Sequence, residues 1–227
     1  MISQLVTVIR STLAFVLPPL VGMLWFLVCL PLGRRRAINS GIRVVTWLGL
    51  WLAGIRLQVE GEVALLEQRP AIFVINHQSG TDPIIGARLV RHDMVAIGKY
   101  ELQFHPLLGP VMKAFGTVFV KREQGIGPQV LAPLLPALAA GDAVVLAPEG
   151  KRSSNGQLLP FKPGALWLAQ QSGAPLIPVV LHNSGEILPA HGLLMKPGTV
   201  RVTVLPPQPA NLTSEQLRQV FADALDH

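Results

Sequence analysis

An α/β fold, with a largely parallel mixed sheet flanked by helices and preceded by an N-terminal membrane-associated helical hairpin, is predicted by three features of this 227-residue sequence. From residue 57 onward short apolar runs alternate with helical patterns, the rhythm that generates parallel strands joined by crossover helices. Residues 11–33 carry no charge, a run of 23 residues that is long enough to cross a bilayer. Half of all residues are apolar and only 14% are charged, well below the roughly 25% of soluble globular proteins, so part of the surface is expected to meet lipid. The expected division is a membrane-associated region over 1–56 and one α/β domain over 57–227, since this length leaves room for a single sizeable core.

Within the first apolar run, Pro18 and Pro19 remove backbone donors and obstruct the preceding turn, so a kink or a break is expected there. A second apolar stretch, 44–55, lies between Arg43 and Arg56 and is too short to span. With Trp47 and Trp51 as interfacial anchors and Arg34, Arg35 and Arg36 between the two runs, the pattern favours a re-entrant or half-immersed hairpin over two full spans. One true span and a cleaved signal peptide are the alternatives; the paired prolines and the lack of a small-residue cleavage site argue against the latter.

Strands are expected at 57–60, 71–75, 94–98, 117–121, 143–147, 176–181 and 199–205. Helices are expected at 83–90, 106–115, 164–171 and 214–225, the last opened by a capping box of Thr213 and Gln216. A helical pattern over 129–140 is interrupted by Pro133 and Pro136.

The formal charge of +6 is unevenly placed, because residues 1–60 hold six arginines against Glu60 alone. A basic excess that flanks apolar runs suits anionic lipid headgroups, whereas a nucleic-acid binder would carry its basic stripe on the folded domain. Cys29 is the single cysteine, which rules out an intrachain disulfide framework, a Cys-rich zinc site and a dithiol motif. No G-x-S-x-G elbow and no H-E-x-x-H pair occurs, so a serine hydrolase and a zinc hydrolase lack support, and no metal site is expected. Gly125-Ile126-Gly127 is too short a glycine signal to imply a nucleotide site.

Four segments could carry chemistry. Asn76-His77-Gln78-Ser79-Gly80-Thr81-Asp82-Pro83 follows the apolar run 71–75, so His77 would emerge at a strand end, where open α/β sheets place their ligands. In a continuous helix His77 and Asp82 would point about 140° apart; a looped backbone through Gly80 would let Asp82 accept from one imidazole nitrogen while the other takes a proton. The same residues also fit a plain turn, since Asp-Pro is a favoured N-cap and N1 pair. Gly116 to Arg122 is a strand ending in two cations, and Pro148-Glu149-Gly150-Lys151-Arg152-Ser153 again sets cations at the expected ligand edge; each fits a phosphate site or a solvated turn. Ala174 to Val180 is apolar with two prolines and fits an edge strand lining a groove or an ordinary core strand.

In this order the segments resemble the four blocks of the glycerolipid acyltransferase family, specifically its 1-acylglycerol-3-phosphate acyltransferase branch. The resemblance runs from about residue 57 to 180. Asn76, His77 and Asp82 match the first block, Gly116, Phe119 and Arg122 the second, Glu149, Gly150, Arg152 and Ser153 the third, and Pro175 and Pro178 the fourth. Lys151 stands where the third block usually has threonine, and the segment around Gly98 and Lys99 resembles one often found between the first two blocks.

The resemblance implies direct acyl transfer from acyl-CoA or an acyl carrier protein, both substrates, with no cofactor and no acyl-enzyme. His77 would activate the acceptor hydroxyl and Asp82 would orient it. Arg122 and Arg152 would hold the acceptor phosphate, Glu149 would position the acceptor or the arginine, and Lys99 or backbone amides would stabilise the oxyanion. Gly116 and Gly150 complete the expected substrate-binding set. The implied partners are membrane lipids and the acyl donor, at a bacterial inner membrane with the catalytic domain on its cytoplasmic face. Another lysolipid acceptor, such as a lyso-ornithine lipid, and a nonenzymatic lipid-binding role are the competing readings.

Overall fold

The computed structural model describes residues 2–121, 128–153 and 156–226. It begins with a helical hairpin: helix α1 (Ile2–Cys29) and helix α2 (Arg34–Ala53) are joined by a short 3-10 turn, Leu30–Leu32. Helix α1 passes through Pro18 and Pro19 without the expected break. It packs closely on α2: Val45 fills the space that a side chain on Gly22 would need, Ile84 fills that of Gly49, and the Pro18 ring lies in ordinary contact beside Gly49. Small residues at such crossings let helix backbones approach closely.

Gln4–Leu32 is, among the described residues, the one helical segment long and apolar enough to cross a membrane by length and composition, with a mean hydropathy of 2.4. Most of its large apolar side chains, from Leu5 to Val28, are exposed. On α2 the exposed Trp47 and Trp51 stack with centroids 6.0 Å apart. Gly54, in the left-handed conformation, ends α2, and Arg10 Nε donates to the Leu52 carbonyl at 3.3 Å, a cation at a helix C-terminus.

Strands β1 (Ile55–Gly61), β2 (Ala71–Ile75), β3 (Met94–Lys99), β4 (Val118–Val120), β5 (Ala143–Leu146), β6 (Leu176–Leu181) and β7 (Gly198–Val204) form one seven-stranded sheet in the order β1-β7-β6-β2-β5-β3-β4. The five strands from β6 to β4 are parallel, β7 is antiparallel to β6, and β1 is parallel to β7. The helices that follow the hairpin are α3 (Asp82–Val90), α4 (Leu108–Ala114), α5 (Pro128–Leu131), α6 (Leu135–Ala139), α7 (Gly164–Ser172), α8 (Ser184–Ile187) and α9 (Ser214–Asp226). A 3-10 turn, Ala132–Leu134, separates α5 from α6, so the interruption occurs where the two prolines stand. The capping box of α9 forms: Thr213 N–H donates to Gln216 Oε1 at 2.8 Å and Gln216 N–H to Thr213 Oγ1 at 3.1 Å.

Every residue of β2 is buried, and period-two alternation divides it between two cores. Ala71, Phe73 and Ile75 pack with Ile42 and Leu50 of α2 and Ile85 of α3. Ile72 and Val74 pack with Leu131, Leu134, Leu138, Leu168 and Phe221 on the other face. The hairpin therefore shares a core with the sheet, and the boundary expected at residue 57 falls inside β1.

Polar contacts tie the hairpin to the N-terminal edge of the sheet. Arg35 reaches Asp93 at 2.6 Å and Asp142 at 2.9 Å, and Asn39 Nδ2 donates to Asp93 at 2.8 Å. Burial alone would raise the Asp93 carboxyl, but hydrogen bonds from Arg35, Asn39 and His92 outweigh it and hold it well below the usual carboxylate range. Asp142 takes the smaller share of the same guanidinium, and burial leaves it above its ordinary value.

Candidate active site

Beyond Ile75 the chain leaves the sheet through Asn76, whose side-chain amide stands in for a strand partner. Its Oδ1 accepts the Leu181 N–H at 2.7 Å and its Nδ2 donates to the Leu181 carbonyl at 2.8 Å. His77 comes next, at the C-terminal edge of the parallel strands, and the backbone loops through residues 78–81 as expected before α3 begins.

The loop folds Asp82 back under the imidazole. His77 Nδ1 lies 2.9 Å from Asp82 Oδ2, and the same oxygen accepts the N–H groups of Gln78 and Ser79, each at 2.7 Å. Three contacts on one carboxylate oxygen hold Asp82 in place beneath the ring. Asp82 is fully buried and opens α3. With Nδ1–H committed to Asp82, Nε2 is the imidazole nitrogen left to accept a proton. Ser79 Oγ donates to the Leu188 carbonyl at 2.7 Å and so fastens the loop from its other side.

The third segment closes over this loop. His77 N–H donates to Glu149 Oε1 at 2.7 Å, Leu159 N–H to Glu149 Oε2 at 2.9 Å, and Ser153 N–H to the His77 carbonyl at 2.8 Å. Burial pushes the Glu149 carboxyl up, against these two backbone donors. Both of its oxygens thus accept from backbone amides. The carboxylate positions the backbone of His77.

Of the remaining expected site residues, Gly150 lines a narrow slot of about 80 Å³ together with His77 and Pro148. Arg152 is exposed, and its Nη1 stands 3.3 Å from the place a Cβ on Gly80 would take, so the guanidinium overhangs the His77 loop. Lys99 ends β3 at the same sheet edge, with its ammonium 3.5 Å from Glu101 and outside the slot. Gly116 departs from expectation: it lies with Asp93 and Asp142 near the opposite edge, where its φ of 76° turns the chain from α4 into β4. Arg122 lies outside the described residues.

Lys162 was not foreseen. It lines the slot with His77 while Ile97, Val120 and Leu131 form the apolar wall nearby. It stands alone in sequence just before α7, and its N–H donates to the Pro148 carbonyl at 2.9 Å, which returns the chain to the end of β5 and so to the slot. The slot shares Pro83, Met94 and Ala96 with a larger cavity of about 330 Å³. That cavity runs between the hairpin and α3, lined by Pro18, Thr46, Ile84 and Phe115 among other mainly apolar residues.

Residues 56–182 match the sequence model of the Acyltransferase family. The chain belongs to the acyltransferase family. This acyltransferase is 33% identical over 184 residues to human 1-acyl-sn-glycerol-3-phosphate acyltransferase beta, covering 79% of this chain and 66% of the relative. It is 30% identical over 202 residues to the human alpha enzyme, covering 88% and 71%. To the Saccharomyces cerevisiae 1-acyl-sn-glycerol-3-phosphate acyltransferase it is 33% identical over 180 residues, covering 76% and 58%. The chain thus spans about two thirds of the length of the human relatives and less of the yeast one. Its fold is also that of the crystal structure of the 1-acyl-sn-glycerophosphate acyltransferase PlsC from Thermotoga maritima. The TM-score is 0.77 at 22% identity, over 97% of this chain and 90% of that one.

Proposed function

We propose that this acyltransferase moves a fatty acyl group from acyl-CoA or acyl carrier protein to the sn-2 hydroxyl of 1-acylglycerol 3-phosphate, forming phosphatidic acid. The observation that carries this reading is the 2.9 Å contact between His77 Nδ1 and Asp82, in a chain whose relatives bear the name of that activity. His77 Nε2 takes the hydroxyl proton as the oxygen attacks the thioester carbonyl. The C–S bond then breaks, the departing sulfur receives that proton from the imidazolium, and the new ester leaves without an acyl-enzyme.

Lys162 on the slot wall, Lys99 at the same sheet edge or backbone amides counter the charge that develops on the carbonyl oxygen. Arg152 above the His77 loop, with Arg122, holds the acceptor phosphate, for which guanidinium geometry is suited. The apolar cavity beside the slot takes an acyl chain. The apolar length of α1 and Arg34, Arg35 and Arg36 at the hairpin turn support a place in a bacterial inner membrane with the α/β domain on the cytoplasmic side. Both the lysolipid and its product reside in the bilayer, and a site anchored there avoids drawing acyl chains into water, at about 0.8 kcal/mol per methylene.

Purified protein assayed with a panel of lysolipid acceptors tests the assignment. The phosphate monoester should be preferred, with a new ester as product; equal rates with acceptors that lack the phosphate would overturn the choice of acceptor.

A further inference from the structure

Between α8 and β7 the chain makes a loop, residues 188–197, that runs from the active-site loop to α1. At its start the Leu188 carbonyl accepts Ser79 Oγ–H at 2.7 Å, and Leu188 Cδ2 lies 3.2 Å from the place a Cβ on Gly80 would take. Further on, Met195 N–H donates to Ser11 Oγ of α1 at 2.8 Å, and the Met195 side chain joins Ala14 and Pro18 in the wall of the large apolar cavity. Between these anchors Leu193 is 77% exposed and Leu194 47%.

Two adjacent leucines held out in water forgo the stabilisation that burial brings, and these are not an isolated pair. Through the Ser11 contact they adjoin a helix whose exposed side chains on that side include Val8 and Phe15. Residues 189–197 hold no acidic side chain, and the exposed Lys196 follows the pair. Apolar side chains beside a cation, continuous with a longer apolar surface, are the composition of a segment that seats at an anionic lipid interface.

We propose that Leu193 and Leu194 are a second point of membrane insertion, entering the same lipid surface as α1 while Lys196 meets anionic headgroups. This rests on the membrane reading of α1 given above. The consequence is orientational. A contact outside the hairpin limits rotation of the α/β domain about α1 and holds the His77 loop, to which Leu188 is bonded, toward the bilayer.

The test uses the full-length chain with Cys29→Ser and one introduced cysteine at a time, Leu193→Cys, Leu20→Cys on α1, or Gln219→Cys on α9 across the sheet. Each is coupled to an environment-sensitive fluorophore and placed in phosphatidylcholine–phosphatidylglycerol vesicles with or without nitroxide-bearing acyl chains. The labels at 193 and 20 should shift to the blue and lose most of their emission to the nitroxide lipid, while the label at 219 keeps its own. A quenched label at 20 with a water-like, unquenched label at 193 would overturn the proposal and leave the anchoring of α1 standing. A blue-shifted label at 193 that the nitroxide does not quench would set it against protein and overturn the lipid assignment. An unquenched label at 20 would instead overturn the membrane reading of α1.

Discussion

The backbone N–H of His77 donates to Glu149 Oε1 at 2.7 Å, so the third segment's carboxylate holds the main chain of the histidine in place. Glu149→Gln retains the size of the side chain but turns an NH₂ toward one of two N–H donors. It should cost about 1–3 kcal/mol, the usual penalty for a buried group left without its partner. Turnover should fall while the KM for the acceptor changes little, since the carboxylate touches backbone only. Thermal unfolding together with kcat and KM for Glu149→Gln checks both expectations.

Lys162 and His77 share one slot. Lys162→Met should lower kcat on the order of 10²-fold, the scale of losing one group that stabilises an oxyanion, and Lys162→Arg should recover part of it. An unchanged kcat with a raised acceptor KM would reassign the charge to ground-state binding of the phosphate.

The cavity beside the slot gives a prediction on chain length. Thr46 is buried, bonds to the Ile42 carbonyl at 2.7 Å and lines the cavity. Thr46→Phe puts a ring into that space and should shift preference toward shorter acyl chains, by about fourfold per excluded methylene at about 0.8 kcal/mol each. Competition between acyl donors of different length measures the shift; an unaltered profile would place the chain elsewhere.

Asp93 sets a pH dependence. Its folded-state carboxyl lies below its ordinary value of roughly 3.9, chiefly through Arg35, Asn39 and His92 acting against burial. Between the folded and unfolded values the unfolded chain binds more protons, so this stability is fully present above roughly pH 4 and is lost as pH falls below that. Asp93→Asn should therefore weaken the protein at neutral pH and flatten its loss of stability in acid. Denaturant unfolding in detergent across that range provides the check.

Local signals carried far in this chain. The apolar runs at β2 and β6 were legible to the residue because strands buried on both faces need unbroken apolar sequence. The fold-back of Asp82 was one of two readings open in the sequence, since a pair at this spacing needs a looped backbone, and the loop forms without a left-handed φ at Gly80. What the sequence hid is tertiary. Pro18 and Pro19 announce a kink or a break, yet α1 is continuous through them. That Glu149 also bonds to the N–H groups of His77 and Leu159 has no mark in its motif. Gly116 sits in a matching motif, yet the short α4–β4 connection leaves it at the far edge. Lys162 has no local mark and reaches the slot only because the chain returns to Pro148.

The most direct test of the account is turnover by His77→Ala. The His77 backbone bonds to Glu149 and Ser153 survive this change, so the variant should purify with near-native thermal unfolding and show no acyl transfer above background. Turnover near that of the native chain would contradict the proposed role of His77 as the base.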